Sequence, residues 1–532
     1  MTVGPMRAPS GARPATRRTY RRGWGWWAAA GLVLLPALIP PVTLLWQVIG
    51  RGTGAGVPLT RLVELFLGTL ALTAAVTATS LAIGTSTAWL TSRTDLPGRR
   101  VWMLLAALPL VIPSYMAALT IIGATGPGGL LSDWLGVEIP TPYGFVGAWL
   151  ALSLFLAPMA HLIVTPGLRT IDPATEDAAN GLGASRLKVF FTVTLPQLRP
   201  ALVSAGLMVG LYTISDFGAV SLLRFDTFTR AIYTLYAGQI DRRPAATLSV
   251  VLMVLALVIL LIERRTRSRA GYRTLSTKRE RRPIRLGRAQ KTAALGFLGG
   301  YATLTLAIPG AVLVYWLTRG VGAGNEIGPI WDEVLRSVAV ALGAALLAVI
   351  AAYPVAMVTT WRRRRHLSDL VDTSVWAVYS LPHIAVGVAV VAFALQFLQP
   401  LYQTVALLVL VYVGMFLAQA TSTIQDSLRR ASPDLEDASR GLGHSALRTL
   451  ARVTIPLTTP GILAGAALVF ISAIKELPAT LLLRPNEFET LAIRIWSSTG
   501  EGFYTRASAA SLALLAVSIV PLLVMTNRDL RT

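Results

Sequence analysis

The chain has 532 residues, of which 54% are hydrophobic and only 14% charged, against roughly a quarter charged in ordinary soluble domains, and this excludes an aqueous globule. Its net charge of +22 comes from arginine clustered between apolar runs, a pattern of membrane topology rather than of nucleic-acid binding. Cysteine is absent, which excludes disulfides, thiolate metal sites and cysteine nucleophiles.

The first element is a basic tail, residues 1–26, in which Met1 to Arg22 carries six arginines and no acidic residue. The apolar run behind it is long enough to span a bilayer and lacks a small-residue cleavage site, so it reads as a first span rather than a signal peptide. Runs near the roughly 20 residues needed to cross follow at 27–49, 63–90, 101–124, 144–165, 201–222 and 245–262, which define a first repeat over 27–262. A linker over 263–292 holds a dozen cations and two acids through Lys291 and reads as a solvated cytoplasmic tether, with contact to anionic headgroups as the alternative. Six further runs, at 293–317, 334–361, 370–398, 401–424, 461–483 and 507–525, fill a second repeat over 293–532. The expected fold is all-α, a polytopic membrane protein of about twelve transmembrane helices in two homologous six-helix halves. Pro113 and Pro382 fall in equivalent third and ninth spans and predict kinks there.

Orientation follows from lysine and arginine near span ends. Arg93, Arg99, Arg100, Arg169, Arg186, Lys188, the linker cations, residues 362–365, Arg429, Arg430, Arg440, Arg448 and Arg452 fall in alternate loops, which are therefore cytoplasmic, as are both termini.

Two of those loops are copies of one another. Residues 171–196 and 431–456 align without a gap at an offset of 260, sharing Pro173/Pro433, Glu176/Glu436, Asp177/Asp437, Gly181/Gly441, Gly183/Gly443, Ser185/Ser445 and Pro196/Pro456. Asp172 and Ser432 are N-cap types followed by proline at the first helical position, with acidic residues in the first turn. Paired glycines then break the helix, and Ser185 or Ser445 can cap a second one that ends by Pro196 or Pro456. Ala174, Ala178 and Leu182, matched by Ala438 and Leu442, recur at helical spacing, so one face of each copy suits a groove on a partner.

These residues resemble the EAA motif of the permease subunits of bacterial ATP-binding-cassette importers. The pattern reads Asp177-Ala178-Ala179, Gly183, Val193 and Leu195-Pro196 in the first copy, and Asp437-Ala438-Ser439, Gly443, Val453 and Ile455-Pro456 in the second. Asp replaces Glu in both and Ser replaces one Ala in the second, with every spacing kept. The resemblance covers nearly the whole chain and implies a type I importer permease fold in the bacterial inner membrane, with two permease halves fused through a linker. It implies that each loop is a coupling helix docking into a homodimeric ATP-binding subunit at the cytoplasmic face, with Glu176, Asp177, Ala178, Gly183, Glu436, Asp437, Ala438 and Gly443 as the coupling residues. It also implies an extracytoplasmic substrate-binding protein as the second partner. Fused permeases of this length look like the iron(III) importers and the related thiamine importers. The stretch Ile474-Lys475-Glu476-Leu477-Pro478-Ala479-Thr480 looks more like the iron(III) group, with thiamine or another small cationic or organic solute as the alternative cargo.

The offset of 260 continues beyond the loops, pairing Ser215-Asp216 with Lys475-Glu476 and Leu222-Leu223-Arg224 with Leu482-Leu483-Arg484. Charges within a span cost about 2.5 to 3.5 kcal/mol each on insertion scales and so face a cavity or a partner. Asp216, Lys475 and Glu476 are thus candidates for the translocation path, against a purely structural reading in which Lys475 neutralises a carboxylate. Arg224 and Arg484, with Arg242, Arg243, Arg494 and Arg506 nearby in outer loops, suit a platform for an acidic binding protein. His161 and His383 fit hydrogen bonds between helices better than ligation, and no metal site is expected. No G-x-x-x-x-G-K-[ST] loop and no Ser/His/Asp arrangement in a soluble domain is present, so the chain reads as a transporter without a catalytic residue or a cofactor of its own, ATP being used by the partner. A secondary transporter, with midspan carboxylates, is the competing class, and its most similar residues would lie midspan rather than in cytoplasmic loops.

Overall fold

The computed structural model describes residues 24–51, 56–270, 283–360, 365–431 and 433–529. The basic tail through residue 23, the linker centre 271–282, the arginines at 362–364 and the helix cap at Ser432 lie outside the described residues.

In the first half the main helices are α1 (Trp24–Ala37), α2 (Ile39–Arg51), α3 (Leu59–Arg93), α4 (Arg99–Ala107), α5 (Ser114–Ala124), α6 (Phe145–Thr170), α7 (Pro173–Gly181), α8 (Phe190–Ser215), α9 (Phe228–Gly238) and α10 (Arg243–Ala270). The second half repeats the series with α11 (Arg288–Gly322), α12 (Trp331–Thr360), α13 (Arg365–Tyr379), α14 (His383–Phe397), α15 (Val405–Arg430), α16 (Pro433–Gly441), α17 (Ala446–Ile474), α18 (Leu491–Gly500) and α19 (Tyr504–Asp529). The described residues hold no β-sheet, only one isolated bridge between Thr94 and Ile284.

The twelve apolar runs resolve into eight continuous spanning helices, three bent helix pairs and the shorter apolar stretch Tyr504–Ile519. The prolines expected to kink the third and ninth spans do more than that. At Pro113 the chain turns by 96° between α4 with its following 3-10 turn and α5, and at Pro382 by 98° between α13 and α14. A proline has no N–H to continue the ladder and pushes its predecessor out of the helical region, so each run becomes two half-helices. The fifth and eleventh runs also break. After α8 and α17 the backbone leaves the helix at Asp216 and Lys475, and a short helix resumes at Gly218–Leu222 and Pro478–Leu483.

Within each half three long helices form the packed centre, α3 with α6 and α8, and α12 with α15 and α17. The leading helices cross over. The α1–α2 pair lies against α12 and α14 of the second half, and α11 lies against α5 of the first half and α19 of its own. The close crossing of α11 on α5 requires glycine. A Cβ at Gly123 would stand 2.8 Å from the Trp316 indole nitrogen, which donates a 2.8 Å hydrogen bond to the Gly123 carbonyl. Apolar burial does not drive helices together inside lipid, so such close backbone approaches and polar ties hold the halves.

The linker is a tether only in part. Residues 263–270 continue α10, where Arg264 donates 2.6 Å to Thr373 Oγ1 and pairs with Asp372 at 3.4 Å on α13 of the other half. At its far end the Ile284 amide donates 2.9 Å to the Arg93 carbonyl, the Asp95 amide donates 3.1 Å to the Ile284 carbonyl, and Lys291 pairs with Asp95 at 2.8 Å. Leu286, Leu295 and Leu298 pack with Leu90, Leu96 and Trp102 beneath that strap.

Candidate coupling loops and the broken helices between them

At about 1.5 Å per residue the 35-residue α3 extends about 52 Å, well beyond the roughly 30 Å apolar core, and it carries Arg93 out to the level of the first repeated loop. There the sequence-expected caps form. Asp172 Oδ1 accepts 3.0 Å from the Ala174 amide at the start of α7, and Ser185 Oγ and Ser445 Oγ accept 3.3 Å from the Lys188 and Arg448 amides.

Gly183 and Gly443 sit at φ of +81° and +86°, the left-handed conformation that ends a helix at little cost only with glycine. The Ala184 amide returns to the Ala179 carbonyl at 3.2 Å, and the His444 amide to the Ser439 carbonyl at 3.3 Å, which satisfies the last open carbonyls of α7 and α16. This geometry turns one residue of each loop outward. Leu182 is 89% exposed and Leu442 79%, and Asp177, Ala178, Asp437 and Ala438 are exposed as well.

Glu176 and Glu436 behave differently from the other coupling candidates. The Glu176 carboxylate binds the Arg93 guanidinium and accepts 2.7 Å from Thr194 Oγ1, while Arg93 also donates 3.3 Å to the Leu168 carbonyl. Glu436 accepts 2.8 Å from Thr454 Oγ1. Both threonines lie in π-helical turns, Phe190–Thr194 and Leu450–Thr454, two residues before Pro196 and Pro456. A wide turn there accommodates a proline that cannot donate to the ordinary ladder. Thr194 and Thr454 are identical at the 260 offset, a signal present in the sequence itself. Arg93, counted among the topological cations, is buried at this junction.

The second candidate region lies at the helix breaks. Asp216 Oδ1 accepts from the Ala219 and Val220 amides at 3.0 and 3.3 Å and caps the short helix behind it. Glu476 Oε1 accepts 2.8 Å from the Ala479 amide, and its other oxygen forms a 2.7 Å hydrogen bond with His383 Nδ1. Lys475 reaches across the halves: its Nζ donates 3.3 Å to the Leu110 carbonyl, and Tyr115 Oη donates 3.3 Å to the Lys475 carbonyl. Lys475 thus ties the halves instead of pairing with either carboxylate. Beside it runs a polar chain that sequence reasoning missed. Tyr212 Oη meets Tyr379 Oη at 3.2 Å, Gln419 Nε2 donates 3.2 Å to Tyr379, and Ser472 Oγ donates 3.0 Å to Gln419 Oε1. His161 is held between helices as expected, its Nδ1 sharing a 3.0 Å hydrogen bond with Thr87 Oγ1. Among the described residues no three His, Asp or Glu side chains converge.

The expected outer loops gather at the other end. Arg224 is exposed, with φ +57° and its guanidinium 4.9 Å from the centre of the Tyr143 ring, while Arg484 donates 3.1 Å to the Phe488 carbonyl and pairs with Glu489 at 3.7 Å. Arg242 lies over the Tyr236 ring, and Arg243 pairs with Asp241 at 2.9 Å. Arg494 is occupied internally, pairing with Glu333 and donating to the carbonyls of Ile327 and Pro329 at 2.5 and 2.9 Å.

The sequence pattern of the family described as binding-protein-dependent transport system inner membrane component matches residues 80–264 and 344–531, one match in each half. The chain is 30% identical over 504 residues to the Fe(3+)-transport system permease protein of Haemophilus influenzae, covering 93% of this chain and 96% of that one. It is 26% identical over 454 residues to the thiamine transport system permease protein of Brucella abortus, covering 81% of each. It is also 32% identical over 206 residues to the molybdenum transport system permease protein of Escherichia coli, which accounts for 36% of this chain and 89% of that shorter one.

Proposed function

The chain belongs to the inner membrane components of binding-protein-dependent transport systems, a multi-pass permease built of two repeats, and from that premise we propose that it imports iron(III) by alternating access driven by a separate ATP-binding subunit. The observation that carries the coupling is the pair of exposed leucines, Leu182 and Leu442, each presented by the same helix, glycine turn and cap at the same end of the molecule. Two equal docking helices call for two equal sockets, which a homodimer of the ATP-binding subunit supplies. Asp177, Ala178, Gly183, Asp437, Ala438 and Gly443 form the rest of that contact.

Closure of the ATP-binding dimer must favour one orientation of the halves, since a partner with equal affinity for both states shifts nothing. The place where the halves can separate is the set of helix breaks, where Lys475 holds Leu110 and Tyr115. In this reading Asp216 and Glu476 keep the broken helices in shape, and Lys475 with the tyrosine–glutamine chain lines the path. The loops bearing Arg224 and Arg484 receive the loaded substrate-binding protein from outside, and the coupling loops with both termini face the cytoplasm.

Iron(III) as cargo rests on the Haemophilus relative, which aligns over nearly its whole length, and thiamine, from the Brucella relative, is the second reading. Proteoliposomes containing this chain, its ATP-binding subunit and its binding protein decide between them. Uptake of labelled iron dependent on ATP supports the proposal, whereas uptake of thiamine alone overturns the cargo. A chain that retains no ATP-binding subunit on purification overturns the mechanism.

A further inference from the structure

Both halves carry a tie from the first turn of the coupling helix, and that tie bypasses the glycine bend. Along the backbone, α7 connects to α8 through Gly183, and α16 connects to α17 through Gly443, each in a conformation of low stiffness. A push on Leu182 transmitted by that route alone would swing the coupling helix about its bend. The Thr194 hydroxyl on Glu176, 18 residues apart in sequence, and the Thr454 hydroxyl on Glu436, also 18 apart, join the first turn of each coupling helix directly to the spanning helix. Those spanning helices are the ones that end in the breaks at Asp216 and Lys475.

Resting on the importer reading above, we propose that Glu176 and Glu436 are positioning residues that make each coupling helix rigid with its spanning helix, and that they do not touch the ATP-binding subunit. The π-turns matter because they bring Thr194 and Thr454 to the carboxylates, and both threonines are buried at 3% exposure, where water competes poorly for the bond. In the first half Arg93 extends the rigid unit to α3 and, through its own carbonyl, to the linker strap at Ile284.

Because the chain has no cysteine, a spin-label pair can be introduced at Val203→Cys and Leu463→Cys, exposed positions related by the 260 offset on α8 and α17. The full complex of this chain with the ATP-binding subunit, in lipid nanodiscs, is measured without nucleotide and with ATP trapped. The expected result is a shift of the inter-label distance on ATP binding that falls to less than half in the Thr194→Val, Thr454→Val variant, with the ATP-binding subunit still retained in full. Valine keeps the shape and removes only the hydroxyl, and Glu176→Gln with Glu436→Gln is the second variant, expected to retain the subunit equally. An undiminished shift in the valine variant overturns the proposal, as does loss of the subunit from the glutamine variant, which would make the carboxylates docking groups. Failure of the parent labelled chain to hold the subunit at all is a different outcome and overturns the importer reading itself.

Discussion

The two coupling loops have the same backbone and different bracing. Both hold the first-turn glutamate with a threonine, Glu176 with Thr194 and Glu436 with Thr454, but in the first the loop behind Arg93, which also binds Glu176, is strapped to the linker through Ile284, Leu286 and Lys291. In the second, Ser439 replaces the alanine of the motif, and its hydroxyl bonds His444 Nδ1 at 3.1 Å and Thr449 Oγ1 at 3.0 Å, stitching one arm of the loop to the other. The helix breaks differ in the same spirit: each carboxylate caps its short helix and reaches the first residue after the bend proline, but Asp216 meets the Ser114 hydroxyl and Glu476 the His383 ring. What both copies keep is the turn and the exposed leucine, and what they vary is how that turn is anchored. In the function proposed above, a duplicated element meeting two identical sockets is constrained at the contact and free behind it.

Substitutions that treat the copies unequally probe this division. The largest effect is expected at the breaks, where Glu476→Ala should cost about 3 kcal/mol, since it uncaps a buried helix and strips the His383 ring of its partner, while Asp216→Ala, which releases only a Ser114 hydroxyl able to turn to another acceptor, costs about half as much. Thermal unfolding of the two purified variants in the same detergent measures the difference, and equal losses would remove the asymmetry. Next, Leu182→Asp and Leu442→Asp should each weaken retention of the ATP-binding subunit by about 2 kcal/mol, roughly thirtyfold, and by the same amount in both loops. Titration of the subunit onto each variant tests whether the sockets are equivalent. Ser439→Ala should cost about 1 kcal/mol locally and quicken amide exchange over residues 433–449, whereas Ala179→Ser in the other loop changes nothing measurable.

The smallest effect belongs to the strap. Asp95 has its carboxyl held below the ordinary value of 3.8, first by the hydrogen bond from Lys291 and then by the Leu286 amide. A depressed carboxylate pKa favours the strapped state above the ordinary value, and that contribution disappears as pH falls below it. A disulfide between Thr94→Cys and Ile284→Cys should therefore form at an unchanged rate from neutral pH down to about pH 5 in the parent, using a thiol oxidant whose rate is corrected for thiolate content. Asp95→Asn should slow it across that whole range. Equal rates in the two would show that the β-bridge alone holds the linker.

Much of the architecture was legible in the chain itself. Apolar runs of bilayer length, arginines in alternate loops and an ungapped repeat are one-dimensional signals, because the membrane imposes length and charge on each segment separately. The caps at Asp172, Ser185 and Ser445 and the glycine turns at Gly183 and Gly443 were readable for a similar reason, as each is satisfied within a few residues. The roles of Glu176, Arg93 and Lys475 were not. Their partners lie 18, 83 and 365 residues away, and whether a charge faces a partner protein, a cavity or another helix depends on which helices meet.

The exchange of leading helices between halves was equally invisible, since α1–α2 and α11 are apolar enough to lie against lipid or against either half. So was the depth of the breaks at Pro113 and Pro382, where sequence predicted a kink and the structure turns the chain by nearly a right angle. By itself the sequence determined the span pattern, the duplication and the coupling turn, because these arise from local capping and from the solvent each segment meets. Only the tertiary structure decided which carboxylates brace the loops and which lysine joins the halves, because an ionisable group removed from water takes its role from whichever distant donor or acceptor the packing brings to it.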